Sequence, residues 1–325
     1  MSNETYLLQL KKEFYPINKE YYMAAIQDII STPIVLLLNG YFLYFTLTES
    51  VFTTRKVLKR TVLTFNFLNI LIVLQSLILT SYYLNAYFNT GMINPNTCFY
   101  IRKIQLILMI LLITTPLIFT FHRYFTIFSS SNIQNYIVII IFVLINFPAI
   151  IMFVTMFFNK KIIWVSDEIC VYMKLPTTQF YLDVLTSVYY VSLTVPIVVL
   201  IINCILLKRL NSLMVTSSLA VMRKNENKIV FINLLIQTIQ PFIGQWPAIL
   251  FYFYLSHTGN NIYLVWRILD ALTMLSFVLN ILFSIAFVED VRNAFLKRIG
   301  ISVSKDNGDI AIISNGILLK KKTYF

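Results

Sequence analysis

The chain of 325 residues is too apolar for a soluble protein, since 58% of its residues are hydrophobic and only 12% are charged, against about 45–50% and 25% in soluble domains. The composition predicts a membrane protein. Its formal net charge of +12 is a feature of nucleic-acid-binding proteins, but basic residues also collect in cytoplasmic membrane loops, so their distribution decides between the two.

The first 22 residues are polar and contain no apolar core of the signal-peptide type. We therefore expect residues 1–22 to form an extracellular segment, and the first span to act as its own insertion signal. In that case Asn3, in the triplet Asn3-Glu4-Thr5, is a candidate glycosylation site.

Seven long apolar runs follow, each sufficient to cross about 30 Å of hydrocarbon as a helix. They lack the alternating pattern of barrel strands. The sequence therefore predicts an all-α membrane protein with a seven-helix transmembrane domain over residues 23–288. The runs cover residues 23–47, 61–88, 104–127, 136–158, 182–207, 229–255 and 262–287.

Lys and Arg divide unevenly between the two sets of connecting segments. With the N-terminus outside, 17 of the 26 basic residues lie on the inner side. Because cytoplasmic loops carry an excess of basic residues, we predict an extracellular N-terminus and a cytoplasmic C-terminus. Topology and anionic lipid then explain the net charge, so no nucleic-acid partner is expected.

Two cysteines fall on the predicted outer side. Cys98 precedes the third span and Cys170 lies in the second outer loop. In an oxidising compartment they are expected to pair; the alternative is two free thiols. Cys204 lies inside the fifth span and is expected to pack there.

A short amphipathic helix is predicted directly after the seventh span. Val288, Val291, Phe295 and Ile299 recur at helical spacing, with acidic residues at the start and basic residues at the end. Such a helix is expected to lie on the inner leaflet. Residues 289–325 thus form a cytoplasmic helix and tail, and we expect the tail to be flexible.

Three short segments resemble a receptor family. They are PheHisArgTyrPheThrIlePhe at 121–128, LeuLeuIleGlnThrIleGlnPro at 234–241 and PheValGluAspValArgAsnAlaPhe at 287–295. With seven spans and the cysteine pair, they resemble nematode serpentine chemoreceptors of the str and srh group, within the rhodopsin-like G-protein-coupled receptors. His122 departs from the general pattern, in which an acidic residue usually precedes the arginine.

The resemblance implies a chemosensory receptor in the plasma membrane, and more narrowly in the ciliary membrane of sensory neurons. It also implies a small-molecule ligand and a heterotrimeric G protein as partners. Arg123 and Tyr124, at the inner end of the third span, are the candidate G-protein-coupling residues. The alternative for Arg123 is an anchor that reaches lipid phosphates.

Polar residues within the apolar runs suggest two further sites. In the inner half, Asn39, Asn66, Asn69, Asn280 and Ser284 are predicted to form a hydrogen-bonded cluster, or else to act as ordinary interhelical contacts. In the outer half, a small-molecule cavity is predicted. Its candidate residues are Asp183, Tyr190, Trp246, Arg267 and Asp270.

For Arg267 and Asp270, three positions apart, mutual neutralisation is the alternative. Pro241 and Pro247 interrupt the sixth span and are candidate hinges. Motion there is expected to expose Arg123 to a G-protein α-subunit.

A transporter or channel for a small solute is the alternative function, although internal inverted halves and midplane charges are lacking. An enzyme is not expected, because the two histidines, His122 and His257, lie on opposite sides and no metal or nucleophile constellation is present. No cofactor is expected.

Overall fold

The computed structural model describes most of the chain beyond the first 13 residues. The described ranges are 14–128, 134–155, 160–164, 169–170, 172–176, 178–212, 218–260, 262–306, 309–314 and 317–321. The predicted glycosylation site at Asn3 lies outside them.

Seven apolar helical segments in the described part are long enough to cross a membrane, as predicted. Most helices extend beyond their apolar runs, because polar residues can continue a helix into the interfacial region. Span 3, for example, has 34 residues and is about 51 Å long at 1.5 Å per residue. The helices are span 1 (Tyr22–Thr48), span 2 (Lys56–Asn89), span 3 (Pro95–Phe128), span 4 (Gln134–Thr155), span 5 (Gln179–Ser212), span 6 (Ser218–Gly244 and Trp246–Thr258) and span 7 (Tyr263–Phe287).

The spans pack in a closed ring in which each one contacts the next, and span 7 returns to span 1. Span 3 lies centrally, since it contacts spans 2, 4, 5 and 6. Aromatic side chains fill much of the interior, including the fully buried Phe45, Phe65 and Phe277. This apolar core joins the spans in the half of the bundle that contains Arg123.

One end of the bundle is closed by short strands and a disulfide, and we call it the disulfide end. Strand β1 (Tyr15–Pro16) pairs with β2 (Met92–Ile93). The hairpin of β3 (Lys160–Trp164) and β4 (Tyr172–Pro176) lies in the loop between spans 4 and 5. Cys98 and Cys170 form a disulfide, with Cα atoms 5.8 Å apart, which ties this loop to span 3.

The opposite end, called the Arg123 end, carries two short helices, Ser50–Thr54 and Glu289–Arg298. The second is the predicted terminal helix, and the bundle covers part of its apolar face. Val288 and Val291 are each 1% exposed, and Phe295 meets Phe45 edge-on at 5.9 Å.

Two ion pairs hold the terminal helix against the loop between spans 1 and 2. Arg55 pairs with Asp290 at 2.6 Å, and Arg298 pairs with Glu49 at 3.0 Å. One side of this helix therefore packs on the protein itself, and its location on the inner leaflet stays a prediction.

Beyond this helix the chain forms a three-stranded antiparallel sheet in the order β5 (Ser302–Asp306), β6 (Asp309–Ser314) and β7 (Ile317–Lys321). The strands differ from the flexible tail that the sequence analysis predicts for this part of the chain. The stretch Asp309–Ser314 is rich in isoleucine, and β-branched residues favour strands.

Candidate functional site

A cavity of about 320 Å³ lies within the bundle toward the disulfide end. Spans 3, 5, 6 and 7, strand β4 and the residue before span 1 all contribute to its wall. The lining residues are Tyr21, Arg102, Lys103, Gln105, Leu106, Met109, Met173, Leu175, Tyr181, Leu185, Tyr189, Tyr252, Trp266 and Asp270.

Helical spacing explains which side chains reach the cavity. Span 5 contributes Tyr181, Leu185 and Tyr189, four residues apart, so one face of that helix lines the wall. On β4, Met173 and Leu175 line the cavity and alternate with Lys174, as side chains of a strand do. The disulfide at Cys170 fixes this strand over the cavity.

Basic and acidic groups occupy different parts of the wall. Lys103 is 7% exposed, and its Nζ lies 5.2 Å from the Tyr181 ring centroid and 6.0 Å from that of Phe99. The adjacent Arg102 donates from Nη1 to Gln105 Oε1 at 3.0 Å. Asp270 contributes a carboxylate from span 7.

Behind Tyr21 lies a buried carboxylate. The Tyr21 hydroxyl donates to Asp28 Oδ2 at 3.3 Å, and Asp28 is 7% exposed. Tyr21 therefore joins this carboxylate to the cavity wall, and the carboxylate also interacts electrostatically with Arg102 of that wall.

Of the five residues predicted to border an outer cavity, Asp270 lines the cavity that the structure contains. Asp183 and Tyr190 are exposed and do not line it, because they occupy other faces of span 5 than Tyr181 and Tyr189. Asp183 accepts a hydrogen bond from Gln179 at 2.9 Å. Tyr190 is 58% exposed.

The other two predicted residues hold helices together. Trp246 donates from its indole nitrogen to the Ser192 carbonyl at 3.3 Å, joining spans 5 and 6. Arg267 donates to the Glu20 carbonyl at 3.4 Å, joining span 7 to the segment before span 1. Neither of them lines the cavity.

Sequence reasoning missed Lys103, which directly precedes the third apolar run at residues 104–127. The structure continues span 3 as a helix back to Pro95, which places Lys103 inside the bundle. The sequence feature that could have identified it is the basic pair Arg102-Lys103, which lies between Cys98 and a long apolar run.

The predicted inner polar residues are buried but divide into separate contacts. Asn66 donates to the Asn39 carbonyl at 3.0 Å, joining spans 1 and 2. Asn69 accepts from Gln240 at 3.0 Å, joining spans 2 and 6. Ser284 donates to the Asn280 carbonyl at 2.8 Å within span 7.

Buried polar residues on span 6 extend this interior and were not predicted. Asn233, Gln237 and Gln240 are each at most 3% exposed, and they follow a helical spacing along one face. Between spans 3 and 5, Thr120 and Asn203 form a further polar contact, with Asn203 Nδ2 donating to the Thr120 hydroxyl at 3.0 Å.

Arg123 and Tyr124 differ in orientation although they are adjacent. Arg123 is 6% exposed and Tyr124 is 37% exposed. The Tyr124 ring meets Phe125 edge-on at 5.5 Å. The burial of Arg123 favours a role inside the bundle over an anchor that reaches lipid phosphates.

Span 6 is interrupted between the two predicted hinge prolines. One helix ends at Gly244 and the next begins at Trp246, with Pro241 inside the first and Pro247 in the first turn of the second. Gln245 between them keeps helical backbone angles, and its N–H donates to the Pro241 carbonyl at 3.0 Å. The interruption is therefore the backbone hydrogen bond that Pro247 cannot donate.

A side chain and a close helix contact support the break at Gly244. Thr273 of span 7 donates to the Gly244 carbonyl at 2.9 Å. A Cβ atom at Gly244 would lie 2.9 Å from Ser276 Cβ, so only glycine allows this approach of spans 6 and 7.

The break also lies next to the cavity. Gln245, which is 5% exposed, directs Nε2 to the Met109 sulfur at 3.8 Å. Since Met109 lines the cavity, one contact joins the cavity wall to the break in span 6.

Seven apolar helices in a closed ring define a multi-pass membrane protein. Comparison of the chain with protein-family models and with curated proteins gives no match.

Proposed function

We propose that this protein is a chemosensory G-protein-coupled receptor in the plasma membrane. A small molecule binds in the cavity near the disulfide end, which faces outward. A heterotrimeric G protein binds at the Arg123 end, which faces the cytosol. The orientation rests on the distribution of Lys and Arg along the sequence.

The observation that carries this proposal is the position of the break in span 6. The cavity wall contacts Gln245 through Met109, and the helix before the break runs to the Arg123 end. A ligand that moves Met109 changes the packing at the break. This change shifts the equilibrium between alternative positions of the first helix of span 6. Switching proteins commonly use such hinge motions.

Arg123 provides the test of coupling. The full chain is reconstituted with G protein, and nucleotide exchange is measured during a screen of volatile and water-soluble metabolites. Arg123→Ala is expected to lower stimulated nucleotide exchange by about tenfold or more. The reason is that losing a hydrogen bond from a charged group weakens binding of the partner by about that factor. The control is Lys161→Ala, since Lys161 is an exposed cation on β3 at the disulfide end, away from the proposed G-protein surface.

Solute flux separates the receptor from a transporter or channel. Interrupted helices also occur in transporters, so the same proteoliposomes are assayed for uptake without G protein. Uptake of a metabolite together with unchanged exchange in every preparation would refute the receptor proposal. Equal exchange by Arg123→Ala and Lys161→Ala would refute the role of Arg123.

A further inference from the structure

We infer that the cavity binds a small monoanion with an apolar body, such as a monocarboxylate, and that Lys103 is the group that binds its charge. This inference rests on the proposed binding of a small molecule in the cavity, and it names the chemical class of that molecule.

The first step is the environment of Lys103. Its side chain is 7% exposed and lines the cavity. Among the residues that the structure describes, the contacts of its ammonium group are the faces of Phe99 and Tyr181. Aromatic faces offset part of the cost of burying a cation. An anionic ligand beside the ammonium group would offset the rest of this burial cost.

The second step is the charge of the wall. Arg102 and Lys103 contribute two cations from adjacent positions on span 3, while Asp270 contributes one carboxylate from span 7. Asp28 accepts a hydrogen bond from the Tyr21 hydroxyl, and its carboxylate is close enough to Arg102 for the two charges to interact. Because Asp28 offsets Arg102, the cation that the described wall leaves for a ligand is Lys103, which favours a singly charged anion over a dianion and disfavours a cationic amine.

The third step is the rest of the lining. Tyr189, Tyr252 and Trp266 contribute aromatic surface, and Leu106, Met109 and Leu185 contribute aliphatic surface. Apolar walls with a few polar groups are typical of small-molecule sites. An apolar chain or ring therefore fits beside the charged group.

Ligand-dependent stability provides the test. The full chain is placed in nanodiscs of neutral phosphatidylcholine, and thermal unfolding is followed at increasing concentrations of hexanoate, octanoate and 4-phenylbutyrate. The alcohols 1-hexanol, 1-octanol and 4-phenylbutanol are the neutral counterparts. Lys103→Met removes the charge, and Lys103→Arg retains it.

Lys174→Met is the matched control, since Lys174 lies on β4 between two lining residues but does not line the cavity. At least one carboxylate is expected to bind wild type and Lys174→Met equally, and Lys103→Met about 10- to 100-fold more weakly. Lys103→Arg is expected to retain the preference for carboxylate over alcohol.

Without ligand, Lys103→Met is expected to unfold at or above the wild-type temperature, because a buried charge has been removed. A lower temperature would show a structural role for Lys103 and overturn the inference. So would the absence of carboxylate binding to wild type, or binding to Lys103→Met within twofold of wild type.

A parallel nucleotide-exchange assay separates this inference from the proposed function. Lys103-dependent carboxylate binding, together with unchanged exchange for every metabolite in the screen, would leave the anion site intact and remove the receptor proposal. Exchange stimulated by neutral or cationic metabolites alone would leave the receptor intact and overturn the anion site.

Discussion

Gly244→Ala tests the close contact of spans 6 and 7 at the break. The added methyl group would lie 2.9 Å from Ser276 Cβ and 3.5 Å from Thr273 Cα, and it would also meet the Ser276 hydroxyl. Overpacking of this kind costs about 1–3 kcal/mol. The gain in helix propensity from alanine is at most about 1 kcal/mol, so we expect a net loss of about 1–2 kcal/mol.

Thermal unfolding of the purified chain, followed by tryptophan fluorescence, measures this loss. Gly40→Ala is the matched control, because Gly40 lies inside the helix of span 1 and a Cβ there would meet nothing within 4 Å. This substitution is expected to be neutral or stabilising by up to about 1 kcal/mol.

A double-mutant cycle locates the cause. Ser276→Gly removes the atoms that the new methyl group would meet, so the double variant should be more stable than the two single losses predict, by about 1 kcal/mol or more. Equal unfolding temperatures for Gly244→Ala and Gly40→Ala would refute the argument. Additive losses in the double variant would show that the contact with Ser276 is not responsible.

Two further predictions concern other links between spans. Cys170→Ser opens a bridge between positions 72 residues apart and is expected to cost about 2–5 kcal/mol of stability; the control Cys204→Ser should unfold like wild type, and equal behaviour of the two variants would contradict the prediction. Gln240→Leu removes the donor to Asn69 and is expected to cost about 0.6–1.7 kcal/mol, with partial recovery in the Asn69→Leu and Gln240→Leu double variant. Strictly additive losses in that cycle would show that the two amides act independently.

Hydrophobic length was sufficient to predict the seven helices, because each span must satisfy its backbone internally in hydrocarbon. The ends of span 3 were harder to predict. The third apolar run begins at residue 104, directly after Arg102 and Lys103, yet the helix begins at Pro95. A sequence pattern records which side chains are polar, but burial by neighbouring helices depends on tertiary packing.

Cavity residues were predicted less well for the same reason. Depth along a span can be read from the sequence, whereas the face that points inward depends on the rotation of each helix. Asp183 and Tyr190 have suitable depth and lie on the wrong faces of span 5, while Tyr189, one position away, lines the cavity. Trp246 and Arg267 were polar groups at suitable depth whose partners turned out to be backbone carbonyls.

The hinge prediction shows how local chemistry and packing combine. Pro241 and Pro247 predict a weakened helix, but proline alone does not specify where the chain breaks. The hydrogen bond that Pro247 cannot donate interrupts the helix after Gly244, and the close contact at Gly244 and the hydrogen bond from Thr273 hold span 7 against that point. Gln245 then joins this position to Met109 in the cavity wall. If the proposed ligand acts through span 6, substitutions at Gln245 should alter G-protein nucleotide exchange more than ligand affinity. The reason is that Gln245 does not line the cavity and directly follows the first helix of span 6, the segment proposed to move.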